Sequence, residues 1–202
     1  MLDEPMSLST NLQIIMAHYN QYWGMATEVL RFAFSDAPSD APFVAEFFIG
    51  TEDEPLYVYA TLGMSEAPQP NARPYEHIEL FMYANRQMDE LKQALALLAT
   101  YPFQVNAALS PLDTVYGSHG MVEGSQLTSV LMSLPLREPE EFAVVDVGDY
   151  SVHLLMITPI TETERQFTVE YGALELLNLF AHEVVDVADF VRESAVKGGG
   201  AA

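Results

Sequence analysis

The first helical pattern in the chain is an apolar stripe between residues 12 and 23. Large apolar side chains recur there every three or four residues, at Leu12, Ile15, Met16, Tyr19, Tyr22 and Trp23. This spacing places them on one face of an α-helix. Thr10 to Gln13 has the spacing of a capping box, and Gly24 is a typical residue to follow a helix. We therefore predict a helix that packs its aromatic stripe into a core.

Two later stretches have the same period. One begins near Asn85 and has apolar residues at Met88, Leu91, Leu95 and Leu98. We expect Pro102 to end this helix, because proline lacks the N–H group that a helix interior needs. The other follows a capping box at residues 161–164 and has apolar residues at Phe167, Tyr171, Leu174 and Leu177. Gly172 lies inside it and costs about 1 kcal/mol relative to alanine, so a helix broken there is the alternative.

Strands are indicated by runs or alternations of β-branched and aromatic residues. Residues 43–49 and 56–62 flank a polar, turn-like stretch and predict a hairpin. Residues 76–82 alternate, which predicts a half-buried strand. Further strands are predicted at residues 28–34, 127–134, 142–147 and 150–158, the last two as a second hairpin.

The predicted strands outnumber the helices and come as hairpins rather than as alternating strand–helix–strand units. This order favours an α+β fold with a mixed or mainly antiparallel sheet and helices packed on one of its faces. We see no internal repeat and no linker, so we predict one domain over residues 1–197 and a flexible tail at 198–202. Residues 103–124 form either a functional loop or elements that the pattern hides.

Composition narrows the class of protein. Eight Lys and Arg stand against 29 Asp and Glu among 202 residues, so the formal net charge is −21. A nucleic-acid backbone would meet a field of its own sign, so we expect no nucleic-acid partner. The lack of Cys excludes disulfides and thiolate metal sites. With no run of about 18 apolar residues, no basic cluster and no secretory signal, we expect a cytoplasmic protein that binds no membrane.

Motifs for the common catalytic and cofactor-binding sites are missing from the sequence. It contains no phosphate-binding loop, no dinucleotide-binding glycine motif and no serine elbow. His119 lies in a glycine-rich stretch, and we interpret it as a loop or partner-contacting residue rather than as a base. His77 and Glu79 share one strand face without a third metal ligand, which favours a polar, solvent-facing pair. We expect no metal, no cofactor and no enzymatic activity.

Three stretches in a fixed order resemble one known family, and two of them are made of paired segments. The segments are Thr61 to Ser65 (T-x-G-M-S) with Glu76 to Leu80, Val130 to Pro135 with Val152 to Thr161, and Asp189 to Ser194 (D-x-x-R-x-S). Together they resemble the Suppressor of fused domain family over about residues 28–195. One departure is Phe190, where family members often carry proline.

The family pattern marks a set of residues that hold the fold or contact a partner. They are Gly63, Met64, Ser65, Glu79, Pro159, Glu164, Asp189, Arg192 and Ser194. We expect Gly63 to adopt a positive φ at the end of a strand, Met64 to fill a gap in the core and Ser65 to hydrogen-bond the loop backbone. Asp189 and Arg192, three residues apart, are expected to pair and tie down the C-terminus.

The resemblance implies an α+β domain without enzymatic activity. Animal relatives hold a zinc-finger transcription factor with this domain and a second one, a role that we do not transfer to so short a chain. Bacterial single-domain relatives are associated with toxin loci as immunity proteins. The acidic excess suits an inhibitor of a basic toxin, because opposite charges speed association. We expect a basic protein partner, contacted by exposed aromatics among Tyr57, Tyr59 and Tyr75 and by His119.

Two other functions stay open at this point. A regulatory scaffold would bind a peptide by strand addition, which requires a long uncovered edge strand. An enzyme would need buried carboxylates or His119 in a pocket with shifted pKa values. Acidic runs such as residues 52–54 and 138–141 lack the oxygen spacing of a calcium loop and are typical of a solvated surface.

Overall fold

A computed structural model describes residues 8–32, 42–72, 74–117 and 121–197. The helices in these residues are α1 (Thr10–Trp23), α2 (Asp89–Val105), α3 (Glu162–Tyr171) and α4 (Ala173–His182). The strands are β1 (Glu28–Arg31), β2 (Phe43–Phe48), β3 (Tyr57–Leu62), β4 (Ile78–Ala84), β5 (Thr114–Tyr116), β6 (Leu127–Ser133), β7 (Val144–Asp146) and β8 (Ser151–Thr161). None of the described helices is both long and apolar enough to cross a membrane.

The strands form a mixed sheet in the order β1-β2-β3-β4-β8-β6-β5, with β7 beside the first part of β8. Neighbouring strands are antiparallel except β4 and β8, which run parallel and pair Ile78 with His153. The predicted first hairpin is confirmed as β2 and β3, with Ala45 opposite Ala60. The α+β fold with a mixed, mainly antiparallel sheet is therefore the one that the sequence predicts.

Helices cover both faces of the sheet, so the expectation of helices on one face is wrong. In β2, Val44 belongs to the core cluster under α2, whereas Phe47 belongs to the cluster under α1. All seven residues of β4 are buried. Successive side chains of a strand point to opposite faces, so a fully buried strand needs cover on both sides. The pair α3 and α4 covers Leu131 and Ile160 on β6 and β8.

Local signals locate several helix ends. The hydroxyl of Thr161 accepts the N–H of Glu164, and the Glu164 carboxylate accepts the N–H of Thr161, which is the predicted capping box of α3. Gly172 separates α3 from α4, so the chain adopts the broken helix. α1 is capped by Ser9 rather than by Thr10, because the Ser9 hydroxyl is the one that accepts the N–H of Leu12.

The expectation that Pro102 ends the second helix is wrong. α2 continues to Val105 and is closed by Asn106, whose φ of 54° is left-handed. The proline lies in the last turn, and its carbonyl still accepts the N–H groups of Asn106 and Ala107. Only the hydrogen bond that a proline N–H would have made is lost, so the helix tolerates the ring this close to its end.

The segment 103–124 is more regular than its pattern indicates. It contains the last turn of α2 and the strand β5, which pairs antiparallel with β6 and sets Val115 opposite Val130. A strand of three residues is too short to show an alternating pattern. Residues 118–120 lie outside the described residues, and so does the predicted tail at 198–202.

Candidate functional site

Glu79 lies on β4 and is completely buried beneath the turn that follows β3. One carboxylate oxygen accepts hydrogen bonds from the N–H of Gly63 at 2.8 Å and from the N–H and hydroxyl of Ser65 at 3.0 and 2.7 Å. The other oxygen accepts from the hydroxyl of Thr61. Gly63 has the expected positive φ, 114°, which lets the chain turn so that these donors surround one carboxylate.

Burial raises the pKa of the Glu79 carboxyl, while the hydrogen bonds from Thr61, Ser65 and Gly63 oppose that rise. The Ser65 hydroxyl donates to this carboxylate and not to the loop backbone, which corrects its expected role. In this chain, Thr61, Gly63 and Ser65 of the T-x-G-M-S pattern supply hydrogen-bond donors to a buried acid. These bonds link the turn after β3 to β4.

The predicted solvent-facing pair of His77 and Glu79 is wrong. Glu79 is interior, and His77 is half-buried with Nδ1 2.7 Å from the carbonyl oxygen of Ser65. The His77 ring stacks on the ring of Tyr150, with centroids 3.9 Å apart. The alternation of residues 76–82 predicts the strand, but it carries no sign that both faces of the strand are covered.

Glu164, at the start of α3, is a second completely buried carboxylate of the family pattern. Arg192 donates to its two oxygens at 2.6 and 2.9 Å, and the N–H of Ala195 donates at 2.8 Å. The N–H of Thr161 is a further donor at 2.8 Å. These bonds fasten the segment after α4 to the end of β8.

The expected ion pair between Asp189 and Arg192 is wrong. Arg192 pairs with Glu164, while Oδ1 of Asp189 accepts the N–H of Val191 at 2.9 Å. A spacing of three residues favours a pair on a helix, but residues 189–192 form a turn after α4. The arginine therefore ties down the C-terminal segment as expected, through a different acid.

Among the remaining residues of the family pattern, Pro159 and Met64 are buried and Ser194 is half-buried. The carbonyl oxygen of Pro159 accepts from Arg192 at 2.9 Å, and the hydroxyl of Ser194 lies 3.2 Å from that of Thr161. Met64 is buried in the core cluster under α2, where it fills space as expected. The carboxylates of Glu79 and Glu164 are both surrounded by donors from the protein.

The tyrosines expected as exposed anchors differ in position. Tyr59 is completely buried and its hydroxyl accepts the N–H of Met88 at 2.7 Å, so its expected exposure is wrong. Tyr57 and Tyr75 are half-buried. Tyr57 contacts the ring of Phe48, which is 38% exposed, with centroids 5.1 Å apart. His119 lies outside the described residues.

A buried lysine joins three acids at the edge of the sheet. Lys92 is only 2% exposed, and its Nζ contacts carboxylate oxygens of Glu28, Glu46 and Asp89, the last two at 2.9 Å. Burial lowers the pKa of Lys92, but hydrogen bonds to the three acids outweigh it and leave the pKa above its usual value.

The same three carboxylates lie close enough together to hold a metal ion. Lys92 already supplies positive charge at their centre, so the cluster is a structural clasp between β1, β2 and α2. Sequence reasoning missed it. The available signal is a lone lysine in the apolar stretch from residue 91 to residue 99.

The surface has few cations to balance its acids. Among the eight Lys and Arg of the chain, Lys92, Arg165 and Arg192 are held in ion pairs with glutamates or aspartates. Acidic side chains are exposed in the turn at residues 52–54 and again at 140–141. Most of the charge of −21 is therefore presented outward.

Comparison with known families fits this geometry. The profile of the Suppressor of fused protein (SUFU) family matches residues 43–193, which include the donors around Glu79 and the Glu164–Arg192 pair. The chain belongs to the SUFU family. The SUFU match spans most of the sheet and all but the first of the helices.

Solved structures of SUFU proteins share the fold. A SUFU homolog from Neisseria gonorrhoeae FA 1090 is 23% identical, with a TM-score of 0.77 over 94% of this chain and 98% of that chain. A chain of the Sufu–Fu complex is 13% identical, with a TM-score of 0.72 over 92% of each chain. Drosophila Suppressor of Fused is 16% identical, with a TM-score of 0.67 over 92% of this chain and 51% of that one. No curated protein matches this chain significantly.

Proposed function

We propose that this SUFU-family chain is a non-enzymatic, cytoplasmic protein-binding domain that acts as an immunity-type inhibitor of a basic toxin. The observation that carries the proposal is the charge of the surface. The chain has 29 acids and eight cations, and among the described residues at least three of those cations are held in ion pairs. Such a surface attracts a basic protein and speeds its association.

Two further observations support a protein partner rather than a substrate. One structure with this fold comes from the Sufu–Fu complex, an assembly of two proteins. In our chain, Glu79 and Glu164 are each saturated with hydrogen-bond donors from the protein itself. A catalytic acid or base must reach the reacting group, and these two do not reach the surface.

Strand addition has less support as a binding mode. Among the described residues, the strands at the edges of the sheet are β1 with four residues and β5 and β7 with three each. A peptide that pairs with so short an edge makes few main-chain hydrogen bonds. We therefore favour binding through side chains and surface charge.

The test uses the basic proteins encoded beside the gene for this chain. Each is expressed in bacteria alone and together with the chain, and growth is compared. We expect one of them to be toxic alone and harmless in the presence of the chain. The purified pair should form a complex at about 50 mM NaCl that is weaker at about 500 mM, because salt screens attraction between exposed charges.

A charge-reversal variant sharpens this test. Replacing Glu52, Asp53 and Glu54 with lysine changes the exposed β2–β3 turn, and replacing them with glutamine or asparagine keeps its shape while removing its charge. Affinity should fall in both and further in the lysine variant. If no basic neighbour binds the chain and none is neutralised by it, the proposed function is wrong.

A further inference from the structure

An apolar groove, here called the α2 groove, lies between α2 and the strands β5 and β6. α2 packs across β2, β3 and β4, so β6 and β5 extend beyond the helix on the same face of the sheet. The groove has a volume of about 630 Å³ and follows α2 from Glu90 to Gln104. That span of helix is about 21 Å long. The α2 groove is thus long enough for four turns of a second helix beside α2.

The α2 groove is lined by large apolar side chains on both of its sides. Leu97 on α2 is 46% exposed, and Met121, which follows β5, is half-buried. Beneath them, Leu98, Tyr101 and Val115 are half-buried and pack against the core cluster under α2. Exposed apolar surface that is gathered in a concavity and continuous with the core is typical of a binding site.

The charge of the chain favours one kind of binding partner for this groove over the others. Glu90 is the one charged side chain in the described lining, and it is exposed. Arg165 of α3 lies over the ring of Tyr116 on the other face of the sheet, 5.6 Å from its centroid, and is paired with Glu162 at 2.7 Å. A second copy of this chain would bring a further charge of −21 and be repelled. A cationic segment would be attracted.

We infer that the α2 groove docks an amphipathic helix that has an apolar face and lysine or arginine flanks. This inference rests on the proposed function and adds to it the site and the kind of segment that the basic partner supplies. Leu97 and Met121 contact the apolar face of the docked helix, and Glu90 meets one of its cations. Helix-in-groove recognition works through apolar anchors spaced three, four and seven residues apart.

The test uses a labelled peptide of about 14 residues, made of leucine and lysine in amphipathic helical spacing, so that its helix spans about 21 Å. Its affinity for the full chain is measured by fluorescence anisotropy. Leu97→Asn and Met121→Gln remove groove anchors without changing net charge. Leu174→Asn is the matched control, because Leu174 is a 56% exposed leucine on α4, outside the groove lining. Circular dichroism of each variant checks that it is folded.

We expect the two groove variants to weaken peptide binding about tenfold or more and the Leu174 variant to leave it unchanged. The same peptide with glutamate in place of lysine should not bind. Equal affinity for wild type and the Leu97→Asn variant would overturn the inference, and so would equal binding of the acidic peptide. Dimerisation of the chain that Leu97→Asn abolishes would also overturn it, since the occupant would then be a second copy.

Failure of this inference differs from failure of the proposed function. If Leu97→Asn changes neither toxin neutralisation nor peptide binding, the inference about the α2 groove is wrong and the proposed function is unaffected. If the groove variants lose peptide binding but the chain neutralises no toxin, the groove is still a helix-binding site and the immunity role is wrong.

Discussion

Two buried glutamates organise the residues that define the SUFU pattern in this chain. Glu79 gathers donors from the turn after β3, and Glu164 gathers donors from the end of β8 and from the C-terminal segment. A buried carboxylate is costly unless it is paired or hydrogen-bonded, and both of these are. The residues of the family pattern therefore fix two connections: the turn between β3 and β4, and the C-terminal segment against the end of β8.

Removing the Glu79 carboxylate should destabilise the chain strongly. Glu79→Ala leaves the N–H groups of Gly63 and Ser65 buried without an acceptor, and each such donor costs about 1–3 kcal/mol. We expect the free energy of unfolding to fall by about 3 kcal/mol or more. Urea denaturation followed by circular dichroism measures it. The exposed control Glu52→Ala should stay within about 0.5 kcal/mol of wild type, and equal losses would contradict this account.

Substitutions at Arg192 and Asp189 distinguish the observed ion pair, Arg192–Glu164, from the expected pair, Arg192–Asp189. Arg192→Met leaves the carboxylate of Glu164 buried without its cation, which costs about 3–5 kcal/mol. Asp189→Asn keeps an oxygen that can accept the N–H of Val191, so we expect a loss below about 1 kcal/mol. Thermal unfolding of both variants tests the assignment. A loss in Asp189→Asn that matches Arg192→Met would show that the aspartate carries the interaction.

Buried tyrosines predict a loss of stability at high pH. Burial raises the pKa of Tyr59 to about 12, partly offset by the hydrogen bond from Met88, and burial also raises the pKa values of Tyr19 and Tyr83. In the unfolded chain these groups titrate near pH 10. Their contribution is therefore complete below about pH 10 and is lost as the pH rises toward about 12, by about 1.4 kcal/mol per pH unit for each group.

The measurement is the free energy of unfolding in urea between about pH 8 and about pH 11.5. Tyr59→Phe should lower stability at neutral pH, because the Met88 N–H loses its acceptor, and should flatten the alkaline slope. An unchanged slope in Tyr59→Phe would contradict the assignment of this residue.

At the scale of elements, local sequence signals account for the parts that depend on near neighbours. The β2–β3 hairpin follows from two apolar runs around a polar turn, and the capping box of α3 follows from Thr161 and Glu164. The stripe on α1 packs as predicted, with Ile15 and Tyr19 fully buried. In each case the determining residues lie within a few positions of one another.

Long-range packing determines the parts that sequence could not predict. Glu79 is interior because α1 and α2 cover opposite faces of the sheet, and Lys92 is buried because acids from β1, β2 and α2 meet around it. Arg192 chooses an acid 28 residues away in sequence over one three residues away. No window of a few residues contains these partners. The aromatic anchors and the α2 groove depend on the same packing.

The end of α4 carries a strained residue whose replacement tests the helix geometry. Val184 has a φ of 52° and is 87% exposed, at a position where glycine is usual. The N–H of Val185 donates to the carbonyl oxygen of Phe180 across this turn, which is a Schellman-type closure. We expect Val184→Gly to raise stability by about 0.5–1 kcal/mol, because a β-branched residue is unfavourable there.

Val169 provides the matched control for that substitution. It is 75% exposed and lies within α3, where glycine is a poor helix former. Val169→Gly should lower stability by about 0.5 kcal/mol. Calorimetric melting of the two variants should therefore shift in opposite directions. A loss of stability in both would show that Val184 is not strained.

At the scale of the whole molecule, the charge of −21 is the property that separates this chain from an ordinary α+β domain. Some of the cations are held in buried ion pairs. Lys92 is surrounded by three acids, and Arg192 is paired with Glu164. The exterior is left with acids in excess. High net charge keeps a protein soluble and monomeric and steers partners of the opposite sign. Under the proposed function, this surface charge attracts the basic partner.

The most direct test of this account is the salt dependence of the association rate between the chain and the basic toxin that we propose as its partner. Stopped-flow or surface-based kinetics would be recorded from about 50 mM to about 500 mM NaCl. We predict that the association rate constant falls about tenfold or more over this range while the dissociation rate constant changes little. An association rate that does not respond to salt would contradict the claim that the acidic surface directs binding.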